Sequence, residues 1–89
     1  GAGMVEVQFD REMPETVYVK GLSVLCDKRR KGIARELISL CESIGMQSKM
    51  AFLRLTVEKN NEWLFEWYKR LGFHILFIEA NVYVMIKPL

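Results

Sequence analysis

The stretch Arg29-Arg30-Lys31-Gly32-Ile33-Ala34 limits what this chain can fold into more than any other. It follows an apolar run from Tyr18 to Leu25 and opens a helical pattern that continues through Arg35-Glu36-Leu37-Ile38. A strand, a short basic turn with one glycine and a helix together make a grip for phosphate. The first turn of a helix carries N–H groups with no partner inside the helix. Their dipoles sum to a partial positive charge there, and a pyrophosphate can accept those hydrogen bonds directly. Gly32 has no Cβ, so the backbone can come close to a ligand. Arg29, Arg30, Lys31 and Arg35 place mobile positive charge around the same point. The plain alternative is a solvated basic helix start. The string is not a Walker A loop, which needs Gly-x-x-x-x-Gly-Lys-Ser/Thr, and it is not a dinucleotide fingerprint.

The rest of the chain supplies a setting for that turn. Met4 to Phe9 alternates Val5, Val7 and Phe9 with Glu6 and Gln8, the period of a strand. Asp10 to Glu15, with Pro14, is a turn. Thr16 to Leu25, rich in β-branched and aromatic residues, is a second strand that pairs antiparallel with the first. Gly21 inside it marks a bulge or a close backbone approach. From Gly32 to about Met46, Ile33, Leu37, Leu40, Cys41 and Ile44 form the apolar face of a helix, with Gly45 near its end. Ala51 to Val57 is a third strand, with Leu53, Leu55 and Val57 on one face and Phe52, Arg54 and Thr56 on the other. Asn60 or Asn61 caps a second helix that runs to about Leu71. Its apolar face is Trp63, Leu64, Trp67, Tyr68 and Leu71, and Gly72 ends it. Phe73 to Ile78 and Val82 to Ile86 are strands joined by a turn at Glu79 to Asn81. The order is β-β-α-β-α-β-β.

Composition bounds the function class. With 89 residues, the chain is one domain. We take residues 4–89 as that domain and Gly1-Ala2-Gly3 as a cloning remnant. Thirteen basic and 11 acidic residues leave a net charge of only +2, so the positive charge is local and nucleic-acid binding is not expected. Cys26 and Cys41 fit no zinc spacing, the lone His74 completes no metal site, and no metal is expected. The two cysteines read as free thiols in a reducing compartment, with a disulfide as the alternative; the expected location is cytoplasmic, with the nucleus as an alternative. No apolar run approaches the ~20 residues of a membrane helix, and no signal peptide is visible.

Two motifs together carry a resemblance. Arg29, Gly32 and Ala34 fit the spacing Gln/Arg-x-x-Gly-x-Gly/Ala, which resembles the coenzyme A pyrophosphate loop of the GNAT N-acetyltransferases. Downstream, Leu55 and Val57 end a strand, Asn61 follows four residues after the valine, and Tyr68, Gly72 and Phe73 spell Tyr-x-x-x-Gly-Phe. This is similar to a second GNAT signature, in the right order and at the right distance. The match covers roughly residues 18–73. The implied fold is α/β (α+β), with a mixed, mostly antiparallel sheet flanked by two helices.

The resemblance also implies roles. In the family, the strand before the loop splays from the next one, and the cofactor's pantetheine arm fills the gap like an added strand. Here the exposed backbone would be Leu22, Ser23 and Val24, with the N–H of Leu22 or a neighbour holding the acetyl oxygen. The backbone N–H groups of Arg30, Lys31, Gly32, Ile33, Ala34 and Arg35 would take the pyrophosphate, joined by Arg29. Asn61 would cap its helix, contact the cofactor, or both. Tyr68 would return a proton to the leaving thiolate, being protonated at neutral pH with a reference pKa of ~10; its structural alternative is a core tyrosine. Some members place a catalytic Glu where this chain has Tyr18, so the base stays open between Glu6 and a held water. Cys26 and His74 are given structural roles.

The implied function is transfer of an acetyl group from acetyl-CoA to an amine. The alternative is a CoA-binding module without independent catalysis, completed by a partner. GNAT domains usually open with a strand and two helices on the substrate side, and the match here begins after them. A minimal member, a truncated form and a protomer completed by another subunit all fit. Sheet surface left bare in this way favours a homodimer. The amine itself is not legible in the sequence.

Overall fold

In the computed structural model, residues 6–20 and 31–89 are described, with the side chain of Lys31 excepted. The elements follow in the expected order: β1 (Glu6–Phe9), β2 (Thr16–Lys20), α1 (Lys31–Gln47), β3 (Phe52–Glu58), α2 (Glu62–Arg70), β4 (His74–Ile78) and β5 (Val82–Pro88). The sheet order is β1-β2-β3-β5-β4. β2 and β3 run parallel, and every other pair is antiparallel. The parallel pair requires a crossover, which α1 supplies. The expected continuation of β2 through Gly21 to Leu25 lies outside the described residues, as do Leu22, Ser23, Val24, Cys26, Arg29 and Arg30.

Register settles which face each helix covers, because directly paired residues share a face. Leu53 pairs with Lys87, and Lys87 Nζ reaches Glu42 Oε1 of α1 at 3.1 Å. Val57 pairs with Tyr83, whose ring stacks on Phe65 of α2 with centroids 4.5 Å apart. Both helices therefore lie on the same side of the sheet. The core beneath them joins Val17, Val19, Leu53, Leu55, Val57 and Met85 of the sheet to Ala34, Ile38 and Cys41 of α1 and Leu64, Trp67 and Tyr68 of α2.

The buried stripe of α1 differs from the expected face. Ala34, Ile38, Cys41 and Gly45 are buried, Leu37 and Ile44 are half-buried, and Ile33 and Leu40 face outward. Small side chains account for the rotation. A Cβ on Gly45 would come within 2.5 Å of Leu89 Cδ1 and 3.6 Å of Val17 Cγ2, so the helix lies directly on the sheet there. Ranking positions by side-chain hydrophobicity favours Ile33 and Leu40 and overlooks the alanine and glycine that permit close approach. The helix then ends in a Schellman turn. Met50 N–H donates to the Gly45 carbonyl, Lys49 N–H donates to the Met46 carbonyl, and Lys49 takes the left-handed conformation at φ 60°.

The helix-free side carries the row Gln8–Tyr18–Arg54–Ile86–His74, which crosses all five strands. Arg54 sits at its centre and is only 9% exposed. Its guanidinium lies between the rings of Tyr18 and Phe77, at 5.7 and 5.4 Å from their centroids. Nη1 donates to Asp10 Oδ2 at 2.8 Å, and Glu12 is 3.9 Å away. Asp10 Oδ1 accepts the N–H groups of Glu12 and Met13, which folds the β1–β2 turn over the sheet. Burial alone would raise the Asp10 carboxyl. The two N–H groups and the guanidinium more than offset this and hold it below the ordinary 3.8.

A carboxyl whose pKa is depressed by folding contributes stability that is complete above its unfolded pKa and lost as pH falls through its folded one. Asp10→Asn strands the buried guanidinium and is expected to cost about 2–4 kcal/mol at neutral pH. Urea unfolding at a series of pH values checks this. The gap between wild type and variant should be constant above about pH 5 and narrow as pH falls through the lowered pKa of Asp10.

Candidate functional site

The parallel ladder between β2 and β3 is short. It joins Thr16 to Phe52, Val17 to Leu53 and Tyr18 to Arg54, and among the described residues it stops there. Both strands continue beyond that point on their other edges. Val19 and Lys20 stay paired with Val7 and Glu6 of β1, while Leu55 to Glu58 stay paired with β5. The two strands thus cease to bond to each other while each remains part of the sheet. An opening of this kind presents backbone donors and acceptors to an extended ligand, as an added strand would.

The two helices differ in how they meet their own dipoles. α2 is matched: Glu62 lies in its first turn and Lys69 and Arg70 in its last. α1 is mismatched. It has no acidic residue in its first turn and no basic residue in its last, and it begins with Lys31, with Arg35 one turn on. Cations at the positive end of a helix are unfavourable by roughly 0.3–1 kcal/mol each unless an anion joins them. Gly32 adds a second cost, since glycine inside a helix is about 0.5–1 kcal/mol worse than alanine. Nothing described lies within 4 Å of where its Cβ would be, and its φ is not left-handed, so neither packing nor backbone conformation calls for glycine. Ile33 and Arg35 are exposed beside it, whereas the Ala34 side chain is wholly buried, leaving only its backbone to face a ligand.

The second motif is built around the end of α2. Leu71 is the C-cap, and Gly72 follows at φ 102°. Gly72 N–H donates to the Lys69 carbonyl and Phe73 N–H to the Tyr68 carbonyl, the paired bonds of a Schellman turn. The hydrophobic contact that accompanies such a turn is also present, with the Tyr68 and Phe73 rings edge-on and 5.4 Å apart. Tyr-x-x-x-Gly-Phe is therefore one mechanical unit that fixes Tyr68. The tyrosine is 3% exposed, and burial pushes its phenol well above the ordinary value of 10. Asn61 stands at the N-cap of α2, but its side chain makes no capping hydrogen bond. Its backbone joins the turn instead, donating to the Glu58 carbonyl and accepting from Phe65 N–H. Capping does not account for this side chain. Tyr68 and Ala34 share one buried cluster with Leu55 and Val57, so both motifs converge on β3.

Sequence reasoning missed Asp10 and Arg54. With Gln8, Phe9, Arg11, Glu12 and Tyr18 they line an open cavity of about 340 Å³ on the helix-free side, at the foot of the β2–β3 opening. An arginine between Leu53 and Leu55 was the available signal; its partner 44 residues away in a turn left none. Cys41 is a buried free thiol, pushed up to about 11 by burial, which suits packing and not nucleophilic attack. Glu6 is exposed and pairs with Lys20, and His74 is exposed at the sheet edge.

Gly72→Ala tests the mechanical unit. The change forces a Cβ into the left-handed region and to within 3.3 Å of Lys87 Cε. It should cost about 1–2 kcal/mol. Denaturant unfolding would show this as a lower midpoint with an unchanged slope.

Comparison with known proteins agrees with both motifs. The profile of the acetyltransferase (GNAT) family matches residues 2–73. PaiA N-acetyltransferase from Thermoplasma acidophilum, solved in complex with coenzyme A, aligns with a TM-score of 0.74 at 19% identity, over 98% of this chain and 53% of its own. Nourseothricin acetyltransferase aligns with a TM-score of 0.79 at 19% identity, over 98% and 57%. The ribosomal-protein-S18-alanine N-acetyltransferase from Escherichia coli gives 0.72 at 18% identity, over 94% and 59%. No curated protein matches the sequence. The chain spans a little over half the length of these three structures. Matched over most of its residues and folded in the same way, the chain belongs to the GNAT acetyltransferase family.

Proposed function

We propose that this protein binds acetyl-CoA and transfers its acetyl group to an amine. The observation that carries this reading is the start of α1, which has no acidic residue in its first turn and holds a glycine with no described neighbour within 4 Å of its Cβ position. A pyrophosphate would turn each of those costs into a gain. The N–H groups of Lys31, Gly32, Ile33, Ala34 and Arg35, with Arg29 and Arg30 before them, would hold it. The β2–β3 opening would take the pantetheine arm, with Leu22, Ser23 and Val24 supplying β2-side backbone and Asn61 contacting the arm.

Acetyl-CoA supplies a thioester that an amine can attack. In this reading the arm would enter from the α1 end of β2 and its reacting end would point toward Tyr18 and Arg54, where the strands are paired. The helices fill one side of the sheet at this level, so the acceptor comes from the other side, past Tyr18, Arg54 and the cavity beside them. The amine nitrogen bonds to the acetyl carbon, the C–S bond breaks, and the nitrogen gives up a proton. Tyr68 holds its proton firmly at neutral pH and so serves the departing thiolate as a hydrogen-bond donor. Its raised pKa makes full proton release uphill, so the proton shed by the amine completes the balance.

A second reading has one observation in its favour, the span of little more than half of the related structures. In it, the chain binds CoA but acetylates only with a partner. Release of free thiol from acetyl-CoA in the presence of an amine panel separates the two.

Calorimetric titration with acetyl-CoA tests the common core. Gly32→Ala should stabilise the fold by about 0.5–1 kcal/mol and yet weaken binding about tenfold. Gly32→Glu, with a carboxylate where the pyrophosphate belongs, should abolish binding. Unchanged affinity in both variants would refute the helix start as the site.

A further inference from the structure

Arg54 has a hydrogen-bonding edge that the fold does not use. Its side chain is nine-tenths buried, and Nη1 makes its bond to Asp10. The Nε–H is buried and has no partner, and Nη2 bonds to no described residue. A buried donor left unpaired is costly, and folded chains rarely leave one without a reason. The Nε and Nη2 groups of a guanidinium form a fork of two parallel N–H bonds that matches a carboxylate. Held at Nη1 and packed between the rings of Tyr18 and Phe77, the guanidinium can pivot in its own plane and bring that fork to the open cavity it lines.

The charges around that cavity narrow what can occupy it. Its walls hold two cations, Arg11 and Arg54, and two carboxylates, Asp10 and Glu12. Asp10 already accepts from the N–H groups of Glu12 and Met13 and from Arg54. Glu12 is largely exposed and stands 3.9 Å from Nη1, too far for a hydrogen bond, so it is the carboxylate free to meet a cation. A polyamine would set surplus positive charge against Arg11 and Arg54. A phosphorylated amine would set surplus negative charge against Asp10 and Glu12. A zwitterion suits both signs, and a cavity of about 340 Å³ is of small-molecule size. We propose that it holds a free α-amino acid, its carboxylate on the Nε/Nη2 fork of Arg54 and its ammonium group toward Glu12. Resting on the acetyl-transfer reading, the same placement makes the α-amino group the acetyl acceptor. The ammonium sheds a proton, its nitrogen bonds to the acetyl carbon and the C–S bond breaks. The products are an N-acetyl amino acid, the free thiol of CoA and one proton.

Heteronuclear NMR titration of the chain with each common amino acid in turn tests this, and it needs no cofactor. The tightest binder is expected to have a dissociation constant on the order of 1 mM. It should shift the Arg54 Nε–H resonance together with the backbone amides of Arg11 and Glu12. Its C-terminal amide, and the amine left when the carboxylate is removed, should each bind at least about tenfold more weakly. Glu12→Gln, at an exposed turn position, should weaken the amino acid by about threefold to tenfold. The same variant should bind the N-acetyl derivative, which has no ammonium group, as wild type does. A merely structural role for Glu12 would weaken both ligands alike. Four results would overturn the proposal: no amino acid binding below about 20 mM, an amide that binds equally well, shifts that leave out Arg54, or equal losses for the amino acid and its N-acetyl derivative. Titration with acetyl-CoA judges the acetyl-transfer reading separately. Amino-acid binding without cofactor binding would sink that reading and leave the cavity assignment standing.

Discussion

Among the described residues, three residue pairs join β2 to β3, and the layout of the fold depends on them. Thr16, Val17 and Tyr18 bond to Phe52, Leu53 and Arg54, and then the strands part. A longer ladder would give a continuous sheet with no place for an extended ligand. The ladder is also what makes α1 a crossover, since a parallel pair demands one. Both ends of the short ladder are reinforced. At its start Glu15 turns left-handed at φ 57°, and its carbonyl accepts the N–H groups of Ala51 and Phe52. At its end the Arg54–Asp10 pair draws the β1–β2 turn across the sheet. The strands are clamped just where they are about to separate, so the opening can stay open without the sheet unravelling.

The two helices divide the remaining work, and their sequences show the division. α2 is locally consistent along its length. Its charges complement its dipole, Phe65 stacks on Tyr83, and its C-terminus is locked by Gly72 and Phe73. α1 is well packed along its length but electrostatically frustrated at its start. Local conflict in an otherwise consistent sequence is where function is most often found. The contrast is informative because both helices belong to one chain and rest on one face of one sheet, so burial and solvent do not explain it.

Fold class and element order were legible because they rest on local signals. These were alternation in the strands, apolar spacing in the helices, and glycines at turns. The second motif rests on a local signal too, and the structure gives it a mechanical meaning as a helix terminus around Tyr68. What escaped was whatever depended on pairs far apart in the chain. The buried stripe of α1 was misjudged because Ala34 and Gly45 matter for how closely they let the sheet approach, which a hydrophobic ranking does not weigh. Arg54 was assigned to the correct face but not recognised as buried, since its burial depends on Asp10, Tyr18 and Phe77 arriving from three other segments. For Asn61 the sequence allows a side-chain cap, a cofactor contact or both, and the structure shows no side-chain cap. The backbone supplies that turn instead.

Arg54 also shows how a sheet with helices on only one side keeps a charged residue in its middle. A guanidinium is planar and weakly hydrated, so it can lie between two rings and still donate at its edge. Tyr18 and Phe77 occupy its faces and Asp10 its edge. Lysine, a compact and strongly hydrated cation, could not satisfy the same surroundings. The arrangement links three strands through one side chain: β2 through Tyr18, β3 through Arg54 itself and β4 through Phe77. It does so at the level where β2 and β3 part company. The residue at the foot of the opening thus also reaches the β4 edge, through the Phe77 ring.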